Sequence, residues 1–102
     1  MDNSNRCLAD YVNRQLAELL REHGYHWSKI IPTLYEIQKW FRDEHHIEVS
    51  ANWDTEEQKW FYFAQKMSNY APDAVDLYSK SAFKTYEEAL NTGLIEAINK
   101  LI

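Results

Sequence analysis

Cysteine is nearly missing: Cys7 stands alone among 102 residues. No internal disulfide can form, so stability has to come from a packed core, as is usual in a reducing compartment. Two glycines and two prolines leave little loop-rich or low-complexity material. No apolar run approaches the roughly 18 residues that a membrane span needs. Residues 1–6 lack the apolar stretch of a secretory signal, and a cytoplasmic location is expected. Positive charge is short as well. A net charge of −5 disfavours non-specific binding to a phosphate backbone. Gly-rich phosphate loops and nucleophile elbows are absent, and nothing orders the Ser, His and Asp residues into a triad. The chain therefore carries no expected catalytic residue and no expected cofactor; it does not read as an enzyme.

What the chain has in quantity is aromatic side chains: four Trp, seven Tyr and four Phe, within a hydrophobic content of 45%. That composition suits one ordered domain spanning residues 1–102, long enough for a single core. The aromatics peak in Gln58-Lys59-Trp60-Phe61-Tyr62-Phe63-Ala64-Gln65-Lys66-Met67. Four consecutive rings do not fit a surface helix; they fit a strand engaged on both faces.

Residues 4–23 read as an amphipathic helix. Leu8, Val12, Leu16, Leu19 and Leu20 fall at the three-to-four spacing, Ser4 or Asn3 can cap the start, and Gly24 stands where a left-handed residue would end it. A connector over 25–31 carries Tyr25, Trp27, Ile30 and Ile31 and is expected to pack down. Thr33 and Glu36 form a capping box for a helix running to about His45, with Leu34, Ile37 and Phe41 inward. The alternation of Ile47, Val49 and Ala51 marks a half-buried strand over 47–53. A four-residue turn over 54–57 pairs Val49 with Tyr62, and one residue more or fewer pairs it with Phe63. Phe61, Phe63 and Met67 have no polar atom needing a partner, so they are expected in the core with Phe41, Val49, Leu90, Leu94 and Ile98. Trp60 and Tyr62 are then expected on the outer face. A third strand over 74–80 follows. Thr85 and Glu88 repeat the capping box for a last helix with Leu90, Leu94, Ala97, Ile98 and Leu101 inward. Gly93 costs that helix about 1 kcal/mol relative to Ala, which places it where the helix backbone meets the sheet. The fold class is α+β in the order α-α-β-β-β-α. A helix within 1–24 precedes an α-β-β-β-α core over 32–102, and a three-stranded antiparallel meander has helices packed on one face. The first helix either covers the other face or leaves it to a partner.

That outer face is the candidate working surface, with Trp60, Tyr62, Lys66, Tyr78 and Lys80 beside Ser50 and Asn52. Aromatics interleaved with lysine suit a protein hot spot or stacking on single-stranded bases. Other constellations are weaker. Cys7 and His23 on one helix would lie about 24 Å apart, too far to share an ion with His26, and His45-His46 reads as a solvated helix end; no metal site is expected. Asp54, Glu56 and Glu57 read as a solvated turn.

Two boxes carry a resemblance: Trp40-Phe41-Arg42-Asp43-Glu44-His45-His46-Ile47-Glu48-Val49, and Phe83-Lys84-Thr85-Tyr86-Glu87-Glu88-Ala89-Leu90 with Gly93-Leu94-Ile95-Glu96-Ala97. Together they resemble short uncharacterised proteins of phages and mobile elements in Bacteroides-type gut bacteria, over about residues 32–102. The boxes are helix caps and core positions, so the resemblance implies a fold and no chemistry. The α-β-β-β-α order is also similar to that of double-stranded-RNA-binding domains, and the Thr-Tyr-Glu-Glu-Ala-Leu box to the helix start of HicB-type antitoxins, which begin with the strand hairpin.

The leading expectation is a small non-catalytic interaction protein of a phage or mobile element that binds another protein or itself. The alternatives are a nucleic-acid-binding module using the aromatic, lysine-bearing sheet face and an antitoxin-like regulator. Duplex nucleic acid is not an expected partner: Glu87 and Glu88 occupy the helix start that a duplex-RNA binder makes basic to straddle phosphates. No binding to a random DNA or RNA duplex is expected at physiological salt. Micromolar binding that weakens steeply with added salt in a fluorescence-anisotropy titration would overturn that reading.

Overall fold

The computed structural model describes residues 11–27, 31–67 and 77–102. Helix α1 (Arg14–Glu22) is anchored at both ends. The Asn13 side chain accepts from the Leu16 N–H at 2.9 Å. Gly24, with φ of 91°, lets the Gly24 N–H reach the Arg21 carbonyl and the Tyr25 N–H reach the Leu20 carbonyl, which satisfies two of the last carbonyls of the helix. The helix start differs from the expectation. Residues 11–13 are not helical, because long-range partners take their backbone groups. Tyr11 bridges Thr33, Val12 donates to the Pro32 carbonyl, and the Asn13 N–H donates to Asn91 Oδ1 at 2.9 Å. Ser4, Asn3, Cys7 and Leu8 lie outside the described residues.

The connector packs down as its aromatics suggest: Tyr25 meets Trp40 edge-on at 5.3 Å, and Arg21 sits 4.4 Å from the Trp27 ring centre. Helix α2 (Leu34–Trp40) has both halves of the Thr33/Glu36 capping box. It runs into a π-helical turn, Phe41–His45, which ends at His46 in the left-handed region. His46 then starts the sheet, its carbonyl accepting from the Met67 N–H at 2.7 Å.

Strands β1 (Ile47–Asp54), β2 (Lys59–Lys66) and β3 (Leu77–Tyr78) form an antiparallel sheet in the order β1-β2-β3. The third strand is shorter than expected among the described residues; Val75 lies outside them. Helix α3 (Tyr86–Leu101), capped by Thr85, lies across β1 and β2, with α1 and α2 against it. All three helices occupy one side of the sheet. The shortest principal extent is 18 Å, enough for one helix layer on one sheet but not for a further layer about 10 Å thick. The alternative in which the first helix covers the outer face is thereby corrected for α1. Its buried Leu16 and Leu20 are met by α3, which leaves its apolar stripe no need of the sheet.

The register corrects the largest expectation. Val49 pairs with Ala64, Ala51 with Tyr62 and Trp53 with Trp60, so Trp60, Tyr62 and Ala64 share the helix-facing side with the buried Ile47, Val49 and Ala51. Phe61 and Phe63 face the other way and are only half-buried, and Met67 is exposed. The turn holds four residues, 55–58, closed by the Gln58 N–H on the Asp54 carbonyl at 2.8 Å, with Gln58 at φ of 55°. A four-residue turn keeps Tyr62 on the face of Val49 wherever it is centred by whole pairs. No buried side-chain nitrogen or oxygen among the described residues lacks a partner, so the polar atoms of Trp60 and Tyr62 do not bar them from this side.

Gly93 touches the sheet as expected, and the contact is tight. A Cβ at that position would lie 2.9 Å from both Cβ and Cγ of Tyr62. These atoms sit at the root of the side chain, so relief would require backbone movement. Gly93→Ala is therefore expected to destabilise the fold by about 1–3 kcal/mol through overpacking, despite the helix propensity it adds. Thermal unfolding checks this: a raised midpoint would show that α3 has more clearance over β2 than this geometry allows.

Candidate functional site

The five residues expected to form one surface divide between two sides of the sheet. Trp60 faces the helices, edge-on to Tyr86 at 5.4 Å and to Trp53 at 5.4 Å. Tyr62 also faces them, beneath Gly93 and 5.9 Å from Phe83. Burial pushes its hydroxyl pKa up, helped by Glu96 and opposed by Lys100. Lys66 closes β2 opposite Ile47. Tyr78 lies on the outer side and Lys80 follows it, both exposed.

The surface that the structure assembles has a different membership. Phe61 and Tyr78 stack with ring centres 5.3 Å apart and planes inclined by 26°, and Phe63 is the direct cross-strand partner of Tyr78. Ser50 pairs with Phe63, Asn52 with Phe61 and Glu48 with Gln65, so these polar residues continue the same face. The Ser50 hydroxyl donates to Glu48 at 2.8 Å, and Glu48 lies 3.7 Å from Arg42. The aromatic patch is thus bordered by amides, a hydroxyl and an ion pair. Tyr78 retains 69% of its accessible surface; no helix among the described residues packs over this face. Sequence reasoning assigned Phe61 and Phe63 to the core and so missed them here, although turn parity pointed to them.

The residues considered for chemistry have structural partners. Asp54 Oδ1 accepts from the N–H groups of Glu56 and Glu57 at 2.9 and 3.3 Å, and Oδ2 accepts from the Ser81 hydroxyl at 2.7 Å. The carboxylate therefore ties the hairpin turn to the segment after β3. His45 lies against Trp40 at 4.6 Å, and His23 Nδ1 contacts the Leu19 carbonyl at 3.0 Å. Among the described residues no group of three or more His, Cys, Asp or Glu side chains is placed to hold a metal ion. The buried Asn91 is a strut. Its amide donates to the Glu87 carbonyl at 3.2 Å, and its oxygen receives the Asn13 N–H. A shallow cleft beside it is lined by Tyr11, Phe83, Glu87, Glu88 and Thr92, and its two carboxylates make it hostile to anions. No described helix is long and apolar enough to cross a membrane.

No family model matches this chain, and no curated protein or solved structure is significantly similar to it.

The Ser81 hydroxyl is the largest influence holding the Asp54 pKa below its ordinary value of 3.8, followed by the Glu57 N–H. A carboxyl with a depressed folded pKa contributes stability that is present above its unfolded pKa and is lost as pH falls through the folded one. The contribution of this turn should therefore hold at neutral pH and disappear only below about pH 3.8. In an NMR carboxyl titration Asp54 should titrate below 3.8, and Ser81→Ala should move its midpoint upward. An unchanged midpoint in that variant would remove Ser81 as the cause.

Proposed function

We propose that the protein is a non-catalytic interaction module that engages another protein through the outer face of its sheet. The observation that carries this reading is the stack of Phe61 on Tyr78 beside Phe63, on the side opposite all three helices. Rigid aromatic rings lose little conformational freedom on binding and dominate interface energetics where the surrounding rim excludes water. Ser50, Asn52 and Gln65 supply such a rim. An apolar or aromatic side chain of a folded partner is the group this patch would receive. The resemblance to phage and mobile-element proteins suggests the setting, and an antitoxin-like regulator would be one version of the same module.

Tyr78→Asp alters the patch at an exposed position, while Tyr35→Asp changes an exposed tyrosine on the helix side and serves as the control. Quantitative affinity capture from the producing cells should recover partners with the wild type and with Tyr35→Asp and lose them with Tyr78→Asp. The purified pair should weaken by about 2 kcal/mol or more. If Tyr78→Asp retains the same partners, the outer face is not the binding surface. If the patch instead binds a single-stranded oligonucleotide, with affinity falling steeply as salt rises, the nucleic-acid reading takes its place.

A further inference from the structure

We infer that the distal half of β1 is a self-pairing edge, through which two copies of the chain join antiparallel into one six-stranded sheet. The inference does not depend on what the outer face binds. The hydrogen-bond phase of the hairpin sets which backbone groups of β1 point outward. The Met67 N–H on the His46 carbonyl marks residues 46 and 67 as a bonded pair. Alternation then directs the backbone groups of Glu48, Ser50, Asn52 and Asp54 towards β2, and those of Ile47, Val49, Ala51 and Trp53 away from it. The far side of β2 has the complementary phase. Trp60 donates to Phe83, and Tyr62 both accepts from the Ser79 N–H and donates to the Ser79 hydroxyl.

On the outward edge of β1, the Val49 carbonyl alone has a partner among the described residues, the Gln38 amide at 2.9 Å. The N–H and C=O groups of Ala51 and Trp53 have none among the described residues. Edges of this kind are normally blunted by proline, by lysine, by a bulge or by brevity. β1 has eight residues, with no proline, lysine or glycine, and every residue pairs in unbroken register with β2. Trp53 keeps 45% of its surface exposed at the same place.

The occupant that fits is a second copy, because the strand opposes itself without conflict in one register. Gln38 blocks the edge at Val49, so a partner strand can run only along residues 50–54. A two-fold axis through Asn52 pairs Ala51 with the Trp53 of a second copy, and Trp53 with its Ala51. All four outward N–H groups and all four outward C=O groups, two of each per copy, are then satisfied. The two Asn52 side chains meet across the axis on the outer face, where amides can bond each other. Asp54 faces a serine, and no like charges oppose within the overlap. Shifting the axis to Ala51 would oppose Glu48 with Asp54, and shifting it to Ser50 would require Gln38 to leave Val49. In the favoured register each Trp53 ring lies over an alanine of the other copy. The two β2 strands, three strand spacings apart, lie about 14 Å from each other, so both Phe61–Tyr78 stacks belong to one continuous face.

The test uses the full chain, in sedimentation equilibrium and in cross-linking. The wild type should dimerise, and Asn52→Lys, a change at an exposed position, should weaken the dimer at least about tenfold by placing two ammonium groups face to face across the axis. Asn52→Asp should do the same, and an equimolar mixture of the two variants should restore the dimer as a mixed pair. With Cys7 replaced by Ser, Asn52→Cys should form an intermolecular disulfide readily, since residues opposed at a non-hydrogen-bonded site have their Cα atoms close; Thr55→Cys should not. A wild type that remains monomeric at millimolar concentration overturns the inference. So does a dimer indifferent to Asn52→Lys, or one in which mixing the charge variants restores nothing.

Discussion

The close seating of α3 on β1 and β2 is the constraint from which the rest of this structure follows. Small residues make it possible: Ala89, Gly93 and Ala97 on the helix, with Ala51 and Ala64 on the sheet, are all buried. With Gly93 on the root of Tyr62, the helix axis approaches near enough for Leu90, Leu94 and Ile98 to fill the space over Ile47 and Val49, and all five are buried. A one-residue slip of β2 alone would bring Phe61 and Phe63 beneath the helix, and their rings would need room that Gly93 provides at one point only. A slip of β1 would carry Glu48, Ser50 and Asn52 into the core, where their unpaired polar groups would each cost about 1–3 kcal/mol. The seat thus selects the register, and the register decides which aromatics are left outside.

This explains how far the residues themselves disclosed the fold. Features set by neighbours in sequence were legible: the Thr33/Glu36 capping box, the Thr85 side-chain cap of α3, the left-handed end at Gly24, the inward alternation of β1 and the role of Gly93. The start of α1 was not, because Val12 and Asn13 are held extended by Pro32 and Asn91, the latter 78 positions away. A periodic leucine pattern cannot report a competing hydrogen bond of that kind. The facing of β2 was ambiguous for another reason. Its aromatics occupy both alternating sets, so hydrophobicity carries no parity signal there. The usable information lies in the even length of the turn; the rule that polar ring atoms belong outside points the other way. Trp60 and Tyr62 show why that rule fails: an amphipathic ring can bury its body and bring its tip to the margin of a layer. The candidate surface was accordingly half legible, with Tyr78 and Lys80 on the open side and Trp60 and Tyr62 beneath the helices.

The turn and the third strand form a second, smaller unit around Asp54. Its carboxylate organises the hairpin end through Glu56 and Glu57 and reaches Ser81 beyond β3. Ala82 and Phe83 then bond to Trp60, which continues the pairing of β2 past the two residues of β3 itself. Without this closure β3 would rest on very little. With it, Tyr78 is held in the stack with Phe61, so a half-buried carboxylate at the end of β1 helps to set the geometry of the aromatic face.

The distribution of charge along β2 bears on what that face can receive. Sequence alone suggested aromatics interleaved with lysine, which is the pattern that holds a single strand of nucleic acid by stacking and backbone neutralisation together. The register separates the two components. Lys66, opposite Ile47, belongs to the helix-facing alternation, whereas Lys59, opposite Asp54 at the turn, and the exposed Lys80 after Tyr78 stand at the margin of the outer face. The middle of the outer face presents Phe61, Phe63 and Tyr78 among Ser50, Asn52 and Gln65, while the nearest ion pair, Arg42 with Glu48, is already neutral. A phosphate backbone crossing the middle of this patch would meet rings, with cations only at its margin, and stacking would have to offset much of the loss of its counterions and hydration. A protein surface makes no such demand. It needs apolar area at the centre and hydrogen-bonding groups around it, and that is the arrangement the β1–β2 register produces.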